Sequence, residues 1–255
     1  MGDTTSFKDH FSERAGEYTR YRPGYPAAFF DWLAGQTVRH ETAWDCGCGN
    51  GQAAIELATY YRQVLATDPS RQQIEKAMPH ERISYYVASA EESGLADGSI
   101  DLIVVAQALH WFDFERFYSE VRRVAQPGGV LAALSYGEVR VEGAPDTVVS
   151  HFYHDIIGPF WPPERRYVDE GYVSIPFPFE EIEAPAFAMQ IDWNLEQLNG
   201  YLGTWSAVKE YEMRMGKNPL DLIGAELLAA WSDPELPRRV SWPLSFRIGR
   251  VGSSQ

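Results

Sequence analysis

The residues best placed to do chemistry stand in the run Trp44-Asp45-Cys46-Gly47-Cys48-Gly49-Asn50-Gly51-Gln52. Glu41-Thr42-Ala43 before it reads as the start of a buried strand. Ala53-Ala54-Ile55-Glu56-Leu57-Ala58 after it has helical composition and apolar spacing. A strand entering a glycine-rich bend and then a helix brings backbone close to a ligand, because glycine takes φ > 0 and carries no Cβ. The helix N-terminus adds unpaired N–H groups and partial positive charge for an anionic group. The dinucleotide fingerprint G-x-G-x-x-G fits Gly47 and Gly49 but finds Gln52 at its third glycine. Further on, the apolar run Val64-Leu65-Ala66-Thr67 ends on Asp68, 17 residues past Gly51. A carboxylate there is placed to accept hydrogen bonds from both hydroxyls of a ribose. Asp68 or Ser70 could also cap the helix running to Ala77. A third apolar run, Leu102 to Ala106, leads into Gln107-Ala108-Leu109-His110-Trp111-Phe112. The carboxyl end of such a central strand is where ligands sit in open α/β sheets. His110 is then a general base, a donor orienting an anionic acceptor, or a structural hydrogen-bond partner. Trp111 reads as a pocket wall.

The pattern D-x-G-x-G-x-G from Asp45 to Gly51 resembles motif I of the class I S-adenosylmethionine-dependent methyltransferases. Within that family the N-terminal order F-x-x-x-A-x-x-Y-x-x-Y-R-P-x-Y-P, from Phe11 to Pro26, is similar to the small-molecule enzymes related to trans-aconitate methyltransferase. Pro69-Ser70, Ala90-Glu91 and the A-L-H-W-F run of residues 108–112 are similar to the same group. The resemblance implies S-adenosyl-L-methionine as cofactor and S-adenosyl-L-homocysteine as product. It places Gly47, Gly49 and Gly51, with Asp45 and Cys48 of the same loop, around the methionyl part. It puts Asp68 and Pro69 at the ribose, Ala90 and Glu91 at the adenine, and Gln107 beside the methionyl group. Tyr21, Arg22, His110, Trp111 and Trp205 would surround the acceptor, with Arg22 or Arg166 pairing with an anion. The acceptor implied is a small molecule, foremost a carboxylic acid methylated on oxygen. N- or C-methylation, a nicotinamide-dependent oxidoreductase and a non-catalytic cofactor-binding protein are the other readings.

These residues need a frame to position them. The resemblance implies an α/β, Rossmann-like class I methyltransferase fold in one domain, with a central, mostly parallel, seven-stranded sheet and helices on both faces. Residues 1–26 form an N-terminal lid, whose Phe7, Phe11, Tyr18 and Tyr21 recur near helical spacing before two prolines stop the pattern. Residues 27–136 form the cofactor-binding core. It contains a helix from Ala27 to Gly35, a strand from Ile83 to Val87 and a helix from Asp113 to Ala125. Gln126-Pro127-Gly128-Gly129 breaks that helix before the strand running to Tyr136. Residues 137–185, rich in Pro, Trp, Phe and Tyr, form a pocket-wall insertion opening with a helix from Pro145 to Ile157. Residues 186–255 carry the last strands and helices. Phe187, Met189, Ile191 and Trp193 share one strand face, helices cover Leu195–Ala207 and Asp221–Ala230, and Arg239 to Val251 is the final strand.

A net charge of −14 over 255 residues argues against a nucleic-acid or anionic-membrane partner, which would favour a basic face. Hydrophobic content of 45% suits a core-forming enzyme, and no run approaches the ~18 apolar residues of a membrane span. The N-terminus lacks a signal-peptide pattern, and its superficial myristoylation match, Gly2 with Ser6, has nothing polybasic beside it. The two cysteines, Cys46 and Cys48, are too close for an undistorted bridge and read as thiols of a reducing cytoplasm. His151, His154 and Asp155 could mimic metal ligands on one helix face, but no further ligands accompany them, so no metal is expected. A monomer or homodimer is expected.

Overall fold

The structure is a computed structural model and describes residues 24–252. The lid expected over residues 1–26, with Tyr21 and Arg22, lies outside the described residues except for Gly24–Pro26. The first described helix, α1 (Ala27–Ala34), buries Phe29, Phe30 and Leu33 and ends at Gly35. There follow β1 (Thr42–Cys46), α2 (Gln52–Tyr60), β2 (Gln63–Asp68), α3 (Arg71–Glu75), β3 (Ile83–Val87) and β4 (Ile100–Ala106). A 3-10 turn, Leu109–Trp111, connects to α4 (Phe114–Val124) and then β5 (Ala125–Tyr136).

Strand order is β3-β2-β1-β4-β5, all parallel. Residues 100 to 105 of β4, near the middle of this order, are all buried, as an apolar run covered on both faces requires. The chain leaves β1 toward β2 on one side and meets β4 on the other. The carboxyl ends of β1 and β4 therefore flank the point where strand order reverses, the crevice in which doubly wound sheets bind ligands. One face of the sheet is covered by α1 and α2 through Phe29, Leu33, Ala54 and Leu57. The other is covered by α4 through Phe117, Val121 and Val124.

The second half of the chain adds β6 (Arg140–Val141), α5 (Pro145–His151), α6 (Arg165–Asp169), β7 (Glu180–Glu181) and β8 (Ala188–Trp193). After these come α7 (Leu195–Leu202), α8 (Ser206–Met215), α9 (Gly224–Trp231) and β9 (Arg238–Arg250). β9 ties the two halves together. Its residues Leu244–Arg250 run antiparallel to β5, and Arg238–Pro243 run antiparallel to β8. The change of partner falls at Pro243, which has no N–H to donate to a ladder. Seven strands have five or more residues, as expected, and the two-residue β6 and β7, both paired with β9, bring the sheet to nine.

Three helical readings need correction. The helix from Pro145 keeps α-helical bonding only to His151 and then widens into a π turn over Phe152–Ile156, which buries Phe152 and Tyr153. The helix over Leu195–Ala207 is two helices. The Thr204 hydroxyl takes the Tyr201 carbonyl at 2.6 Å, and Trp205 turns extended so that its ring packs on Phe152 and Tyr153. The helix over Asp221–Ala230 is a 3-10 turn, Pro219–Leu222, followed by α9. In each case tertiary packing of an aromatic or a capping side chain outweighed local helical preference.

Candidate active site

At the end of β1 the chain makes three left-handed turns, with Gly47 at φ 69°, Gly49 at 54° and Gly51 at 88°. The Thr67 carbonyl of β2 holds the bend by accepting from the backbone N–H groups of Gly47 (2.8 Å) and Cys48 (2.9 Å). Asp68 completes the clamp. Its Oδ2 accepts from Gly49 N–H at 2.9 Å and its Oδ1 from Ser70 N–H at 2.8 Å. Ser70, not Asp68, caps α3, accepting from Gln73 N–H. A Cβ on Gly47 would stand 2.7 Å from Ala108 Cβ, and one on Gly51 would stand 2.4 Å from Tyr85 Oη. Among the described residues, a Cβ on Gly49 would meet nothing within 4 Å, so their packing does not explain the glycine.

Asp45 is fully buried, and neither carboxylate oxygen has a hydrogen-bond partner. Burial, with a further push from the charge of Asp68, raises its carboxyl to about 7, and the Ala54 backbone N–H, which faces it without meeting hydrogen-bond geometry, pulls the other way. An orphaned buried carboxylate is costly unless a donor or cation reaches it. Cys46 and Cys48 are buried free thiols, pushed well above their usual range by burial and then by Asp45.

Across the crevice, Gln107 ends β4 at φ 56°, a rare conformation for a residue with a side chain. Its N–H donates to the Leu134 carbonyl at 2.9 Å and its side-chain amide to the Tyr136 carbonyl at 2.8 Å. His110 Nδ1 lies 2.9 Å from the hydroxyl of Tyr172, a fully buried residue following α6 that is itself at φ 66°. Burial, with the positive charge of Arg165, lowers the His110 imidazole to about 3, so it is neutral throughout the neutral range. Trp111 is exposed, at 38%, beside the His110 ring. Together, the loop of residues 45–51, Asp68, Gln107 and the His110 turn occupy the carboxyl end of neighbouring strands.

Residues 44–133 match the family model described as "Methyltransferase domain". A protein of Dictyostelium discoideum named as a methyltransferase is 33% identical over 231 residues, 89% of this chain and 88% of its own length. A solved structure named as a type II methyltransferase, from Anaeromyxobacter dehalogenans, is 47% identical. It superposes with a TM-score of 0.87 over 92% of this chain and 100% of its own. A Mycobacterium tuberculosis methyltransferase is 37% identical over 124 residues, 48% of this chain and 49% of its own length. The chain belongs to the class I S-adenosylmethionine-dependent methyltransferases.

The residues of this methyltransferase fit such a cofactor. The space that the described residues leave beside Gly49 admits a ligand against backbone, and the orphaned Asp45 carboxylate suits a cationic amino group. Asp68, whose carboxylate the Gly49 and Ser70 N–H groups hold at the end of β2, offers acceptor oxygens of the kind that ribose hydroxyls take. Pro69 is exposed beside it. Ala90 is buried against the sheet, and Glu91 Oε1 accepts from Asp113 N–H at 3.0 Å, which ties the expected adenine loop to the start of α4.

The expected acceptor side is rearranged. Arg166 is exposed and lies over the Tyr167 ring, its Nη2 donating to Tyr167 Oη at 2.9 Å. Trp205 is buried among Phe152, Tyr153, Trp161 and Tyr201. The residues that sequence reasoning passed over are Tyr172 and Arg165, which pack near His110 from the insertion. His151 pairs with Asp155 at 2.8 Å, and His154 reaches Glu138 at 3.4 Å. No metal-binding group of three or more His, Cys, Asp or Glu side chains occurs among the described residues. No helix among them is long and apolar enough to cross a membrane.

Proposed function

We propose that this methyltransferase methylates an oxygen of a small carboxylic acid, as its likeness to the trans-aconitate methyltransferase group suggests. The observation that carries the reading is His110, set at the carboxyl end of β4 and lowered to about 3 by burial and then by the Arg165 charge, so that it is neutral. A base this weak cannot take a proton from an alcohol or amine near neutral pH, whereas a carboxylate already presents a lone pair. Bound S-adenosylmethionine would supply an electrophilic sulfonium methyl. Transfer of that methyl to a carboxylate oxygen, with the S–C electron pair left on sulfur, would give a methyl ester and S-adenosylhomocysteine without any proton having to move. The chain's task is alignment and exclusion of water.

In this reading Asp45, Gly47, Cys48, Gly49, Gly51 and Gln107 hold the methionyl part. Asp68 with Pro69 holds the ribose, and Ala90 and Glu91 flank the adenine. His110, Trp111, Tyr21 and Arg22 bound the acceptor. Residues 27–136 serve the cofactor and 137–185 wall the acceptor pocket. The enzyme acts in the cytoplasm as a monomer or homodimer, with no nucleic acid involved. The test is incubation with methyl-labelled S-adenosylmethionine and a panel of carboxylic acids, amines and alcohols. An alkali-labile methyl ester is expected. Alkali-stable N- or C-methyl products would overturn the reading.

A further inference from the structure

Two ion-paired arginines among the described residues have side chains less than one third exposed, Arg247 at 13% and Arg165 at 20%. They are used differently. Arg247 commits its Nη1 to the carbonyls of Tyr172, Val173 and Ile175 and its Nη2 to Glu181, and so staples the insertion to β9. Arg165 commits only Nε, which donates to Tyr153 Oη at 2.7 Å and Asp169 Oδ1 at 3.2 Å. Neither of its Nη atoms donates to a described residue. The guanidinium plane is held over Trp161, at 4.7 Å from the ring centroid, and Tyr153, at 5.4 Å. It borders a cavity of about 260 Å³ whose wall also includes Tyr153, His154, Trp161, Asp169 and the exposed Arg166. The helix that carries it, α6, packs against the Leu109–Trp111 turn, near enough for the Arg165 charge to act on His110.

We propose that Arg165 is the residue that binds the acceptor carboxylate. Its Nε and ring contacts fix the orientation of the fork, and its two Nη groups remain to donate a bidentate pair to an anion. The inference rests on the methyltransferase reading above and names the group that gives it its substrate class. Arginine suits the role better than lysine. Its planar fork matches a carboxylate, and prior orientation by Tyr153, Asp169 and Trp161 reduces the rotamer entropy lost on binding. The pair also explains turnover. Methylation removes the acceptor's negative charge, so the ester loses its strongest contact with Arg165 and leaves.

The test is calorimetric titration of the S-adenosylhomocysteine-loaded protein with benzoate, phenylacetate, succinate and citrate, each against its amide. At least one carboxylate should bind while its amide does not. Arg165→Gln should weaken that carboxylate about 30-fold and Arg165→Lys by several-fold, the scale of charged hydrogen bonds. S-adenosylhomocysteine affinity should stay unchanged in both. Equal binding of acids and amides, or full carboxylate affinity in Arg165→Gln, would overturn the proposal. So would a loaded wild-type protein that binds no acid of the panel. If Arg165→Gln melts early, the charge-retaining Arg165→Lys decides, and unchanged carboxylate affinity there overturns the proposal. A wild-type protein that binds no S-adenosylhomocysteine would instead contradict the underlying function.

Discussion

Gly49 donates its backbone N–H to Asp68 Oδ2 at 2.9 Å, which joins the glycine loop after β1 to the acid at the end of β2. One carboxylate thus shapes the loop and, on the proposed function, also faces the ribose. Asp68→Ala should lower S-adenosylhomocysteine affinity at least tenfold, the scale of losing charged hydrogen bonds. Asp68→Asn, which keeps one carbonyl acceptor, should lose less. Calorimetry on both variants checks this, and equal losses would mean that the negative charge, not the acceptor geometry, is what matters.

Gly49→Ala separates folding from binding. The added Cβ meets nothing within 4 Å among the described residues, so the stability loss should be limited to the left-handed conformation, about 1–2 kcal/mol. Loss of S-adenosylhomocysteine affinity should exceed that, because the methyl group would fill the space a ligand needs. Thermal melting with and without the ligand measures both terms.

Asp45 predicts a pH dependence. Its folded pKa, about 7, lies above the ordinary 3.8, so between these values the folded protein binds a proton that the unfolded chain does not. Its contribution to stability is therefore present at low pH and lost as pH rises through that window. A cationic ligand group beside it favours the ionised form, so S-adenosylhomocysteine affinity should fall as pH drops below about 7. Asp45→Asn should bind more weakly and flatten that profile.

His110 predicts the absence of one. Its folded pKa, about 3, lies below the ordinary 6.5, so the pair of values makes stability rise with pH between them and leaves the ring uncharged above. The His110 ring signals in an NMR titration should not shift through 6.5. Tyr172→Phe removes the hydroxyl at Nδ1 and should cost about 1 kcal/mol of stability. It should also raise the acceptor KM while leaving cofactor affinity intact, and a cofactor defect would assign Tyr172 a different role.

The parts of this site that can be read from sequence are those built by neighbours in the chain. The glycine spacing, the acid ending β2 and the apolar run of β4 each sit on one strand and the turn after it, so composition and period place them. The acceptor side is assembled from residues far apart in sequence. His110 meets Tyr172 across 62 residues, and no periodicity links them. Arg165 and Arg166 are adjacent, and the structure lays one over Trp161, half-buried, and the other over Tyr167, exposed. Their helix has only five residues, too short a pattern to fix which face is buried. The break at Trp205 was hidden for the same reason, since the aromatic partners that pull it out of a helix, Phe152 and Tyr153, come from α5's π extension.

The most direct measurement is calorimetric titration of the full chain with S-adenosylhomocysteine, with NAD as the control ligand. Saturable one-site binding of the first, weakened in Asp68→Ala, and none of the second is the predicted result. Saturable binding of NAD with no response to S-adenosylhomocysteine would contradict the assignment of the glycine loop and the function built on it.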